Sequence, residues 1–417
     1  MNKKVINARS NEKFPLDWET INLDEDDYIK IVMGQSPPSS TYNSFGNGLP
    51  FLQGKAEFGE MYPNPILYCS KPIKIVEKDS ILLSVRAPVG DVNIAPFKVC
   101  IGRGLIAIVV EKEKLNNFFL FYYLSFIKKS IDYLSSGSTF KAITKNDLAK
   151  IEIPIPNFAE QKKIVEILSA VDQAIEEVNE AITKTKRLKK GLMQKLLTKG
   201  IGHKEFKETE IGKIPKDWEI KKIVNLFIIE TGTTPSTKQK EYWQNGHINW
   251  ATPTDMSKLR GKLFIENSER KITEKGLKET NLTLMPNGSI ILSTRAPVGH
   301  VVIVKGKTTS NQGCKGLIPK NIKKINTIFY AYYLLSKNYL LKNSSSGSTF
   351  KELPKKILEN FIVLLPTIQE QNKIAEILST VDQRIQSLKE KKNKLKRVKK
   401  GLMNDLLTGR KRVKVEA

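Results

Sequence analysis

The second half of this 417-residue chain is a degenerate copy of the first, and that repetition constrains the fold more than any single motif. Pro15-Leu16-Asp17-Trp18-Glu19 recurs as Pro215-Lys216-Asp217-Trp218-Glu219, and Arg86-Ala87-Pro88-Val89-Gly90 as Arg295-Ala296-Pro297-Val298-Gly299. Ser135-Ser136-Gly137-Ser138-Thr139-Phe140-Lys141 returns at Ser345 to Lys351. Glu166-Ile167-Leu168-Ser169 returns at Glu376 to Ser379, Val171-Asp172-Gln173 at Val381 to Gln383, and Lys189-Lys190-Gly191-Leu192-Met193 at Lys399 to Met403. The offset is 200 at Trp18/Trp218, 209 at Arg86/Arg295 and 210 from Ser135/Ser345 onward, so the second copy gains its extra residues early. Between matched motifs, Phe51 to Lys78 hardly resembles Ile248 to Lys278. A shared scaffold carrying two different variable surfaces is expected.

Each copy has two parts. The first, about 15–155 and 215–365, reads as a compact α/β unit. Short β-branched runs (81–85, 105–110, 289–294, 301–304) are bounded by Gly, Pro and Asn. A helix is expected over 116–132, with 327–341 as its counterpart. The second part is a long helix. Ile164, Leu168, Val171, Ile175, Val178 and Ile182, then Leu188, Leu192 and Leu196, alternate steps of three and four as a heptad seam. Ile374, Leu378, Val381, Ile385 and Leu388, then Leu395, Leu402 and Leu406, repeat the frame. Both helices are acidic early (Glu160, Glu166, Asp172; Glu370, Glu376, Asp382) and basic late (Lys184 to Lys195; Lys389 to Lys400). That polarity suits the helix dipole and an antiparallel pair, in which acid meets base. Two globular units at opposite ends of such a rod would meet two half-sites of duplex DNA in opposite orientation.

The net charge of +26 favours a polyanionic partner, nucleic acid first. A basic coiled-coil scaffold binding nucleic acid without sequence preference is the rival. No run approaches the ~18 apolar residues of a membrane span, and the polar first fourteen residues lack a signal core, so a cytoplasmic protein is expected. Cys69, Cys100 and Cys314 are scattered and odd in number, which suits a reducing compartment. Catalytic signatures are missing: no Walker loop, no methylation tetrapeptide, and His203, His247 and His300 lack partners at metal-ligand spacing. Gly102-Arg103-Gly104-Leu105-Ile106-Ala107 fits a dinucleotide-loop string, but a strand follows where a helix is needed, so it reads as a turn. Asp217-Trp218-Glu219-Ile220-Lys221 reads as structural, and Trp18 and Trp218 as core.

Glu160-Gln161-Lys162-Lys163-Ile164, Glu370-Gln371-Asn372-Lys373-Ile374, the two Lys-Lys-Gly-Leu-Met strings and Leu-Leu-Thr at 196–198 and 406–408 resemble the specificity subunit of Type I restriction-modification enzymes. Gly232-Thr233-Thr234-Pro235-Ser236 and Asn311-Gln312-Gly313 also resemble its target-recognition motifs; Gln35-Ser36-Pro37-Pro38 and Cys100-Ile101-Gly102 depart from them. The resemblance implies α/β (α+β) target-recognition domains at 1–156 and 200–366. Helices at 157–199 and 367–410 would form an antiparallel coiled coil, followed by a basic tail at 411–417. It further implies a non-catalytic prokaryotic DNA reader of an asymmetric bipartite site. Its partners would be two modification (methyltransferase) subunits and restriction (translocase/endonuclease) subunits. S-adenosylmethionine, ATP and Mg would bind those partners, with no cofactor on this chain.

Candidate DNA contacts in the first copy are Gln35, Ser36, Gln53, Lys55, Arg86, Arg103, Ser138, Thr139 and Lys141. In the second they are Thr233, Thr234, Lys258, Arg260, Arg295, Lys315, Ser348, Thr349 and Lys351. Arg86 and Arg295 recur in copies that should read different bases, so structure or phosphate contact suits them better than base readout. The polar Ser-Thr-Lys loops suit phosphate contact or a helix cap equally. Base-specific residues are expected in the dissimilar loops.

Overall fold

The computed structural model describes residues 14–134, 142–343 and 352–414. The chain divides into two compact units, Met1–Asn179 with Glu390–Ala417, and Glu180–Lys389. Each takes half of each long helix.

In the first unit an antiparallel sheet runs in the order Ile29–Met33, Leu105–Val110, Ile81–Ser84, Val92–Ile94. Its central strands are almost wholly apolar, with Ile81 to Leu83 and Leu105 to Ile108 covered on both faces. Ile81, Leu83, Ile106 and Ile108 pack under the helix Asn117–Phe126 on one face, while Leu82, Leu105 and Ala107 face a smaller core on the other. A second sheet follows the order Tyr42–Asn43, Leu67–Cys69, Leu49–Leu52, Val99–Ile101, Ile75–Val76.

The second unit repeats this plan with Phe227–Thr231, Cys314–Pro319, Ile290–Ser293, Val301–Val304 and Phe264–Ile265 in one sheet. Lys271–Ile272, Ile248–Ala251 and Thr308–Ser310 form the other. The copies diverge after the matched strands Leu49–Leu52 and Ile248–Ala251. The second continues into Pro253–Lys258, a helix closed by a Thr252/Asp255 capping box, where the first has only the turn Lys55–Glu57.

The single helix expected over 116–132 is two, Asn117–Phe126 and Lys128–Leu134, and its counterpart divides into Thr327–Ser336 and Asn338–Asn343. The break falls at Ile127, and both Ile127 and Ile131 lie in the same core. Asn116 and Asn326 cap the longer helices through their side chains.

The repeated Glu-Gln pair ties each long helix to its unit. Gln161 accepts a hydrogen bond from the Asn116 backbone N–H (2.8 Å) and donates to the carbonyls of Lys114 and Pro156. Gln371 does the same with Asn326, Lys324 and Pro366. Glu160 accepts from the buried Trp18 indole, and Glu370 from that of Trp218 (2.8 Å). In the first unit Arg412 closes the arrangement, donating to Glu160 and, bidentately, to Asp17. In the second, His203 and the Ile201 N–H take that place on Glu370.

The long helices are Phe158–Lys199 and Ile368–Leu406. In the first unit Asp172 accepts from Tyr122 (2.8 Å) and Lys399 (2.6 Å), while Glu160 meets Arg412, so the two segments run in opposite directions. In the second unit Asp382 accepts from Tyr332 (2.7 Å) and Lys189 (2.8 Å). The repeated Val-Asp-Gln and Lys-Lys-Gly-Leu-Met strings are therefore the two ends of one Tyr–Asp–Lys contact made twice. Ile164, Leu168, Ile175, Val178, Ile182, Ile374, Leu378, Ile385 and Leu388 are buried, with Val171 and Val381 half-buried. Leu188, expected in the seam, is 55% exposed. Ile164 and Leu168 join Leu406 and Leu407 in the first core, and Leu196 and Leu197 join Ile374 and Leu378 in the second, so the seam ends are anchored to globular bodies.

Candidate nucleic-acid interface

In each unit four strand ends meet at one edge, held by the same backbone bonds. In the first, Gln35 N–H reaches Ile101 O, Gly102 N–H reaches Leu52 O, and Val85 N–H reaches Gly104 O. In the second, Thr233 bonds Ser310, Asn311 bonds Ala251, and Thr294 bonds Gly313 in the same pattern. Glycine is required at the crossing: a Cβ on Gly34 would strike the carbonyls of Gly102 and Leu105, and one on Gly232 those of Asn311 and Ser310. The Arg-Ala-Pro-Val-Gly turns are matched as well. Ser84 Oγ donates to Pro88 O and accepts from Asp91 N–H, as Ser293 does with Pro297 and His300.

These edges gather most of the expected contacts that lie among the described residues. Gln35, Gln53, Arg86 and Arg103 are exposed in the first unit, with Ser36 accepting from the Arg103 N–H (3.2 Å). Thr233, Thr234 and Arg295 are exposed in the second, where Thr234 donates to Gln312. Arg295 Nε is paired with Glu352 (2.9 Å). Lys315 lies beneath, buried; desolvation holds its ammonium below the usual lysine range against the opposing pull of Glu352. Lys55 is engaged with Asp91 (2.6 Å), which also holds Lys128, and Lys258 with Glu269. Arg260 sits at a left-handed turn position, φ 50°. Ser138, Thr139, Lys141, Ser348, Thr349 and Lys351 lie outside the described residues.

An aromatic buttress behind each edge did not emerge from the sequence. Tyr42 donates to the Pro37 carbonyl (2.7 Å) and stacks on Phe51. Trp250 and Trp243 donate to the carbonyls of Thr233 (2.9 Å) and Ser236 (3.1 Å). Each pair fixes the loop that follows the first strand of the main sheet. Among the described residues no group of His, Cys, Asp and Glu is placed to hold a metal ion, and no helix is long and apolar enough to cross a membrane.

A family model described as the Type I restriction modification DNA specificity domain matches residues 15–185 and again 215–397. The chain belongs to this family of specificity subunits. Among its relatives, the putative MjaX specificity subunit of Methanocaldococcus jannaschii is 58% identical over 186 residues, 45% of this chain. The chain spans 44% of that relative's length. The MjaVIII specificity subunit of the same organism is 28% identical over 413 residues, covering 96% of this chain and 95% of the relative. The crystal structure of a specificity subunit from M. genitalium aligns over 96% of this chain and 98% of its own, with TM-score 0.59 and 17% identity. A chain from a structural study of type I complex assembly and conformational transition aligns over 95% and 99%, with TM-score 0.62 and 19% identity. At these identities the structural likeness establishes a shared specificity-subunit fold.

Proposed function

We propose that this specificity subunit is a non-catalytic reader of duplex DNA in which each unit recognises one half of an asymmetric bipartite sequence. The observation that carries the reading is the pair of matched edges. The same four strand ends and backbone bonds recur, yet Gln35, Ser36, Gln53 and Arg103 in one unit stand against Thr233, Thr234, Thr252 and Gln312 in the other. A constant frame with different side chains along its edge suits two readers of different base sequences. The long helices, about 60 Å each at ~1.5 Å per residue, would fix the spacer and offer a docking surface to two modification subunits. S-adenosylmethionine and ATP chemistry would belong to those subunits and to the restriction subunits.

The test is methylome mapping in the native host, with and without this chain. A bipartite adenine motif that disappears on deletion is expected. Replacing residues 51–64 should then change one half of the motif only; a change in both halves contradicts modular reading. The rival, a nonspecific basic scaffold, leaves no motif to lose.

A further inference from the structure

Arg270 stands on the tryptophan buttress of the second unit. Its guanidinium carbon lies 3.6 Å from the Trp243 ring centroid and 5.2 Å from that of Trp250, the two rings meeting edge to face at 5.0 Å. The backbone around it is fixed: the Arg270 carbonyl accepts from the Trp250 N–H (3.2 Å) and from Ser268 Oγ. Arg270 is exposed, and among the described residues no carboxylate lies within ion-pair distance of it. The neighbouring Glu269 is committed to Lys258 and Glu352 to Arg295, so these two carboxylates are already matched by other cations.

A guanidinium held over an aromatic ring loses little further freedom on binding and keeps N–H groups for a partner. The same two tryptophans hold Thr233 and Ser236, so the charge and the loop are set by one rigid pair. Among the described residues of the first unit no cation stands on the corresponding aromatic pair, Tyr42 and Phe51. We infer that Arg270 is a phosphodiester contact of the second unit, gripping the DNA backbone beside the half-site that this unit reads, and that Trp243 and Trp250 are its positioning residues. The inference rests on the DNA-reading function proposed above.

The full chain would be used to select from a pool of random duplexes, and its affinity for the selected duplex measured against salt concentration. Arg270→Gln should select the same motif, bind about tenfold more weakly, and show a slope of log affinity against log salt shallower by ~0.9. Arg270→Lys should restore the slope, since the charge returns without the stack. An unchanged slope in Arg270→Gln overturns the inference, as does a motif altered at one base position, which would make Arg270 a base reader. If the unaltered chain selects no bipartite motif, the proposed function falls, while the slope difference on any duplex still decides Arg270.

Discussion

Removing the Asp172 carboxylate tests how the long helices are fastened. Tyr122 is fully buried and donates to Asp172 at 2.8 Å; burial and that carboxylate hold its phenol far above its usual range, so it remains a donor at any practical pH. Asp172→Ala strands that hydroxyl, at a cost of about 1–3 kcal/mol. It also deletes the pair with Lys399, whose two side chains are 25% and 23% exposed, worth about 1 kcal/mol at that solvation. The total, about 2–4 kcal/mol, corresponds at its midpoint to a roughly 100-fold larger opening equilibrium constant. Asp172→Asn keeps an acceptor for the phenol and should cost only about 1 kcal/mol. Hydrogen exchange of peptides from 158–179 is the assay, because it reports local opening. Asp382→Ala should give the mirror result in peptides from 368–389, through Tyr332 and Lys189. Equal costs for the Ala and Asn substitutions would refute the reasoning, since the phenol bond would then contribute nothing.

Arg412→Ala should destabilise the first unit by about 2–3 kcal/mol, because Glu160, with a side chain only 2% exposed, loses its cation; exchange near Trp18 measures it. Gly232→Ala should abolish recognition of the second half-site while the first half is still selected, as its Cβ collides with the Asn311 and Ser310 carbonyls; duplex selection reads the outcome. All three cysteines are buried, and burial raises the Cys100 and Cys314 thiols, so a thiol reagent at pH 8 should label none of them until denaturant is added.

The repetition and the heptad pattern made the long helices readable, expected over 157–199 and 367–410 and found at Phe158–Lys199 and Ile368–Leu406, since periodicity over some forty positions leaves little freedom. The strand Ile81–Ser84 was likewise legible as a short apolar run. Other features stayed hidden for physical reasons. The helix break at Ile127 comes from tertiary packing, with no Pro or Gly to mark it. Leu188 fits the heptad spacing but faces solvent. Lys55 and Lys258 looked free in sequence, whereas Asp91 and Glu269, 36 and 11 residues away, claim them. Trp243, Trp250 and Arg270 lie within or beside the segment where the copies stop matching, so comparison of the repeats carried no signal for them. Clustered tryptophans in a variable stretch were the available hint.

The first unit is assembled from both ends of the sequence, Arg412 bonding Asp17 across most of the chain, whereas Glu180–Lys389 is continuous. During synthesis the order of completion is therefore inverted. The later-encoded body can close once its own residues have left the ribosome, and the earlier-encoded one waits, its core unsealed, for Leu406, Leu407 and Arg412. Premature termination near residue 390 would spare the second reader and ruin the first.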